Sequence, residues 1–259
     1  MLHSDRLLTF RGREFRGSRY RCLLATHQTD AAVAAFLSGL MPDGMDTSKH
    51  HRWAPRGFSE PDEVKLAESD DFLDLATREK LRHWWLARTN GANTPNWDLV
   101  SEYDHHGKTG ILLVEAKAHE AEFANDRCGA TNPENLARIQ SALKDATDGW
   151  NRLQDGFHLQ AESKYQLSNR FAFAWKLATL GTPVVLVYLG FLDAKEMLPN
   201  RRLLTDAAAW RRCVVEGSGE HVPASVWGRT FEVDGTPLTV LIRSVRVDNQ
   251  VTIERAPDD

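Results

Sequence analysis

Thr94-Pro95-Asn96-Trp97-Asp98-Leu99-Val100 and Ile111-Leu112-Leu113-Val114-Glu115-Ala116-Lys117 are the two stretches whose reading decides the fold. From Asn96 on, they fall in two strand-like segments, Asn96 to Tyr103 and Thr109 to Lys117, with His106-Gly107 midway between them. Side chains alternate faces along a strand, so Glu115 and Lys117 project from the same face. A hairpin turning at His106-Gly107 sets Asp98 directly opposite Glu115, with Cβ atoms roughly 4.5 to 5.5 Å apart. Two carboxylates at that separation repel unless something positive lies between them. A hard divalent cation such as Mg²⁺ suits the place, because it binds through one or two carboxylates plus waters and substrate phosphate. Lys117 can then orient a water or meet negative charge on a phosphate in the transition state. The competing reading is an exposed two-stranded face on which Lys117 screens two acids. A slip of one residue in register moves Asp98 to the other face.

Upstream of the hairpin, a long helix is expected from Glu60 or Pro61 to about Arg88. Ser59 would cap it, Pro61 and Asp62 would fill its first turn, and Ser69-Asp70-Asp71 would mark a kink. Leu73, Leu81, Trp84 and Trp85 form its apolar stripe. Asn90 to Pro95 reads as a turn and His50 to Gly57 as a loop. Thr29 to Leu40 reads as a short helix with Asp30 near its start. Six Arg (Arg6, Arg11, Arg13, Arg16, Arg19, Arg21) crowd the first 21 positions. They read either as a solvated hairpin or loop, or as a phosphate-binding arm.

Downstream, a helix is expected from Pro133 to Gln154 with Asn132 as its cap. Another runs from Gln166 to Leu180 and stops at Gly181. Val184 to Leu192 is a continuous apolar run with β-branched content, which argues for a strand buried on both faces. Thr205 to Val214 reads as a helix. Val226 to Ile253 alternates apolar and polar residues around a hairpin signal at Asp234-Gly235.

Composition narrows the class. Hydrophobic residues make up 42% and charged residues 26%, which excludes disordered, collagenous and coiled-coil chains. The net charge of −4 offers no whole-chain sign of a polyanion partner, so any nucleic-acid contact needs a local basic surface. Cys22, Cys128 and Cys213 are scattered without CxxC spacing, which argues against a disulfide framework or structural zinc site. The N-terminus lacks the pattern of a signal peptide, and the longest apolar run is about half a membrane span. A soluble, cytoplasmic protein without a membrane partner is expected. No Walker sequence, Gly-rich phosphate loop or GxSxG elbow is present.

An acid near the start of one strand, an apolar strand ending in Val114-Glu115-Ala116-Lys117, then a helix and an apolar strand together resemble the PD-(D/E)XK nuclease superfamily. The resemblance covers roughly residues 60 to 193. It implies an α/β protein with a restriction-endonuclease-like core, a mixed β-sheet flanked by helices, with extra N- and C-terminal elements. The expectation is a single domain over 1–259, with a nuclease-like core at 60–193 and flanking elaborations at 1–59 and 194–259. Asp98, Glu115 and Lys117 match the catalytic motif, although Trp97 stands where the motif has Pro and the nearest Pro is Pro95. The implied metal is Mg²⁺ or Mn²⁺, held by Asp98, Glu115, the Ala116 carbonyl and a Glu from the preceding helix. Glu79 is the candidate for that Glu, with Glu63 and Glu68 competing.

Lys164, Tyr165, Gln166, Asn169 and Arg170, at the start of the following helix, are candidates for contact with nucleic acid; a capping Asn and a surface Arg are the plainer reading of Asn169 and Arg170. His119 and Glu120 follow the motif and border the site or the surface. The core pattern also needs one more strand than fits between Arg88 and Asn96. That strand comes from the N-terminal segment, from the C-terminal segment, or is very short. The implied activity is metal-dependent hydrolysis of phosphodiesters, with DNA the first substrate to consider and 5′-phosphate and 3′-hydroxyl products. A non-catalytic nucleic-acid- or protein-binding module on the same fold is the alternative, and an unrelated α/β domain with a structural hairpin the third.

Overall fold

A computed structural model describes residues 9–10, 13–14, 16–47, 51–89, 92–247 and 251–254. In chain order the elements begin with the short hairpin β1 (Thr9–Phe10) and β2 (Arg13–Glu14), followed by α1 (Gly17–Thr26) and α2 (Asp30–Gly39). Next come β3 (Trp53–Ala54), β4 (Val64–Lys65), α3 (Leu75–Trp85), β5 (Asn96–Trp97), β6 (Leu99–His105) and β7 (Lys108–Lys117). Then follow α4 (Pro133–Leu153), α5 (Tyr165–Thr179), β8 (Val184–Phe191), α6 (Ala207–Ser218), β9 (Arg229–Val233), β10 (Thr236–Val247) and β11 (Val251–Glu254).

A seven-stranded mixed sheet in the order β11-β10-β8-β7-β6-β3 organises the molecule, with β9 also paired to β10. β7, β8 and β10 run parallel, while β6 is antiparallel to β7 and β3 is antiparallel to β6. Every residue of β8 is buried, because the parallel centre of a sheet is covered on both faces. The pleat sorts its side chains. Val184, Leu186 and Tyr188 join one core layer, with α3, α4, α5 and α6 packed over it. Val185, Val187, Leu189 and Phe191 join the opposite layer, against α1 and α2. β7 alternates in the same way: Ile111 and Leu113 point to the first layer, Leu112, Val114 and Ala116 to the second. Glu115 and Lys117 continue the Ile111–Leu113 side, and so face α5.

The hairpin register is the expected one. The ladder runs from Leu99 opposite Val114 to His105 opposite Lys108. It turns at His106 and Gly107, whose φ values are 50° and 81°; both central residues of such a turn need positive φ, which Gly adopts without strain. The Asp234-Gly235 turn has the same form. α2, α4 and α5 also match expectation. Thr29 and Asn132 cap α2 and α4 through side-chain oxygens that accept from Ala32 N and Asn135 N.

Three expectations are corrected. No helix spans Glu60 to Arg88. Val64 and Lys65 pair instead with Trp97 and Asn96, and Leu66 and Ala67 are buried. Ser69 Oγ then bonds Asp71 Oδ2 at 2.9 Å in a turn, and the helix starts only at Leu75, capped by Asp74 accepting from Thr77 N at 3.0 Å. Ser59 caps nothing; its hydroxyl donates to Arg56 O. A long-range strand pairing has overridden local propensity. Second, the 50–57 loop contains β3, which supplies the additional strand beside β6 from the N-terminal side. Third, the helix expected over Thr205 to Val214 is shifted to Ala207–Ser218, capped by Asp206 accepting from Ala209 N at 2.8 Å.

Of the N-terminal Arg cluster, Arg6 and Arg11 lie outside the described residues. Arg19 and Arg21 lie on α1, where a hairpin or loop was expected. Arg21 is 6% exposed and braces Glu196 and the Val247 carbonyl, so it is committed to the fold rather than to an outside phosphate. Among the described residues, no helix is long and apolar enough to cross a membrane.

Candidate functional site

The buried end of β7 carries two charges. Glu115 is 1% exposed and Lys117 6%, and a carboxylate so placed needs compensating charge and hydrogen bonds. Lys117 Nζ donates to Glu115 Oε1, and Arg170 Nε donates to Glu115 Oε2 at 2.6 Å. Arg170 comes from α5, one helical turn after Gln166, so the two share a helix face. Gln166 Oε1 accepts from Lys117 Nζ at 2.7 Å. The Arg170 guanidinium lies over the Trp97 ring, 4.6 Å from its centroid, and Nη1 donates to Asn169 Oδ1 at 2.7 Å. Burial opposes charge on all three ionised groups. Even so, Arg170 and Lys117 hold the Glu115 carboxyl below its ordinary range, while Glu115 and Asp98 raise Lys117.

Asp98 stands at the break between β5 and β6, one residue beyond the hairpin ladder. The break arises because β5 turns away to pair with β4. Ala116 N donates to Asp98 Oδ2 at 2.8 Å, which fixes Asp98 beside the Glu115–Ala116 peptide. Burial pushes the Asp98 carboxyl up to about 8, and the Glu115 charge pushes in the same direction. Lys117 and the Ala116 amide pull it back, and Glu63 adds a smaller upward push. Asp98 is therefore the acid of this cluster with a shortfall of positive charge.

A cleft of about 420 Å³ opens over this cluster, with Asp98, Arg170, Gln166, Asn169 and Glu63 in its walls. Glu63 reaches it because the β4–β5 pairing brings residue 63 beside Asn96, whose Nδ2 donates to Glu63 Oε2 at 3.1 Å. Glu79 is exposed on α3 and is not among the residues lining the cleft. Glu68 is also exposed and accepts from Thr94 N at 3.1 Å. Ala116 engages the cluster through its amide, which Asp98 uses.

Asn169 is buried in the cleft wall and bonded to Arg170. Tyr165 lines the same cleft. Lys164 instead sits over the Phe123 ring and donates to the Phe123 carbonyl at 2.6 Å, in a small recess beside Lys117. His119 is buried with Nε2 3.6 Å from Glu122, and Glu120 pairs with Arg202 at 3.3 Å. His105 and His106 sit at the far end of β6, roughly 20 Å from the cluster at about 3.3 Å per residue. Asp126 was not singled out from the sequence. Its Oδ2 accepts from Gln166 N at 2.9 Å, and it forms another acidic wall of the cleft. No local pattern near Asp126 signals this, because the contact spans 40 residues of chain.

Among the described residues, no group of three or more His, Cys, Asp or Glu side chains forms a ready-made metal cage. Asp98 and Glu63 are carboxylates that line the cleft near one another, a hard-oxygen set suited to a cation that completes its shell with water and substrate oxygens. Comparison with known protein-family models, curated proteins and solved structures finds no match to this chain.

Proposed function

We propose that this protein is a divalent-metal-dependent nuclease of the PD-(D/E)XK type, hydrolysing phosphodiester bonds in DNA. One observation carries the reading: Asp98 is tied to the Ala116 amide beside the paired Glu115 and Lys117, Gln166 and Arg170 of α5 bond to that pair, and Asp98, Gln166 and Arg170 line the adjoining cleft. The strand order β3-β6-β7-β8, antiparallel twice and then parallel, supports a restriction-endonuclease-like core. It departs from the usual pattern in one respect, since β3 precedes α3.

Bound between Asp98 and the cleft carboxylates, Mg²⁺ or Mn²⁺ would polarise the phosphate and acidify a water. Lys117 Nζ is tethered between Glu115 Oε1 and Gln166 Oε1, which holds an ammonium where it can orient the attacking water. The same ammonium meets the negative charge that builds on the phosphoryl oxygens. Water oxygen adds to phosphorus and gives up a proton to bulk water, the P–O3′ bond breaks, and the 3′ oxygen takes a proton back from bulk water, leaving a 5′-phosphate and a 3′-hydroxyl. Arg170 and Asn169 brace Glu115 in this scheme rather than serving as mobile phosphate contacts.

Incubation with plasmid and Mg²⁺ or Mn²⁺ is the test. Glu115→Ala and Lys117→Ala are each expected to lower cleavage by at least about 100-fold. Equal cleavage by the wild type and both variants sinks the proposal. A second reading, a non-catalytic nucleic-acid- or protein-binding module, is favoured by one fact: both oxygens of Glu115 already have cationic partners. That module would show no cleavage and no Mn²⁺ binding dependent on Asp98.

A further inference from the structure

Resting on the nuclease reading, we infer that the Arg170 guanidinium occupies the place of a second metal ion, so that the site takes one divalent cation per chain. Two-metal phosphodiesterases use a pair of ions roughly 3.5–4 Å apart, bridged by shared carboxylates. Here the carboxylate that would be shared is Glu115, and a permanent cation already sits on Oε2 at 2.6 Å. Arginine does not lose its proton in proteins, so this charge is present at every working pH.

Arg170 is also locked in place. It is 4% exposed, stacked on the buried Trp97 ring, and bonded to Asn169. Leaving Glu115 would strand the buried guanidinium away from its paired carboxylate, which the low-dielectric interior opposes. Oε1 is held by Lys117. Each carboxylate oxygen still has a further lone-pair direction, enough for Glu115 to help hold one ion alongside Asp98, but not for a second ion on the Arg170 side.

The charge around the cleft agrees. Asp98, Glu115, Glu63, Asp126 and Glu122 face Lys117, Arg170 and Lys164, which leaves two net negative charges when all are ionised. One divalent cation brings the assembly to neutrality. A second ion would leave it strongly positive in a half-buried site.

Calorimetric titration of the full-length protein with Mn²⁺ tests this, with stoichiometry rather than activity as the readout. Wild type is expected to bind one Mn²⁺, lost in Asp98→Asn. Arg170→Gln keeps a hydrogen-bonding side chain but removes the charge. With its fold confirmed by circular dichroism, it is expected to bind the first ion on the order of tenfold more tightly and to admit a second. Two Asp98-dependent ions in the wild type overturn this inference and leave the nuclease reading standing. Weaker Mn²⁺ binding by folded Arg170→Gln also overturns it, since a purely structural Arg170 would act that way. No Asp98-dependent ion in the wild type overturns both.

Discussion

Arg170 Nε lies 2.6 Å from Glu115 Oε2, although the two residues are 55 positions apart in the chain and each is at least nine-tenths buried. The pair clamps the N-terminal half of α5 to the end of β7 and so fixes Arg170 in the cleft wall. Removing Arg170 leaves Glu115 buried with Lys117 as its one remaining cationic partner and Oε2 without its donor. Arg170→Ala is expected to destabilise the fold by about 3–5 kcal/mol in urea or thermal unfolding. A loss below about 1 kcal/mol would mean that the pair is wet and weak, like a surface bridge.

The Asp98 carboxyl, raised from 3.8 to about 8 by burial and by the Glu115 charge, makes stability depend on pH. The folded state holds this proton more tightly than the unfolded chain does. Its stabilising contribution is therefore complete below about pH 4 and is lost as pH rises through about 8, at a slope of at most about 1.4 kcal/mol per unit. Denaturant titrations of metal-free protein between pH 5 and 8 should show the decline, and Asp98→Asn should flatten it. Mg²⁺ should restore stability at pH 8 in the wild type only.

Glu63 and Glu79 separate on a single experiment. Glu63 lines the cleft and pushes on Asp98, whereas Glu79 is exposed on α3. Glu63→Gln is expected to raise the Mg²⁺ concentration needed for half-maximal cleavage on the order of tenfold. Glu79→Gln should leave the curve in place. The reverse ranking would return the helix acid to the site.

Leu186 sits at the centre of β8 and is fully buried, between β7 and β10. Truncation to Ala removes packing that both neighbouring strands rely on. Leu186→Ala should cost about 2–5 kcal/mol in reversible unfolding. A change under 1 kcal/mol would show that the layer above β8 collapses into the gap.

Much of the sheet was readable from short-range pattern. His106-Gly107 and the alternation on either side set the hairpin register, because turn chemistry and the pleat act between near neighbours. The apolar run of β8 announced burial on both faces, and Asn132 announced the start of α4. The segment 60–74 misled because its helical stripe was a weak local preference. Its pairing with Asn96–Trp97 buries Val64 and Leu66, a gain visible only once both strands are brought together.

The site divides along the same line. Asp98, Glu115 and Lys117 were legible as a set, since one strand's alternation and one turn relate them. Folding alone determines which further groups meet them. Glu63 arrives through the β4–β5 pairing, Asp126 through the cap of α5, and Arg170 through the packing of α5 on β7. Each of those contacts joins residues separated by more than 30 positions. Periodicity carries no information over such distances. What selects them is the need to compensate buried charge: the Glu115 carboxylate, buried at the end of β7, had to find cations, and only the packed helix could deliver Arg170.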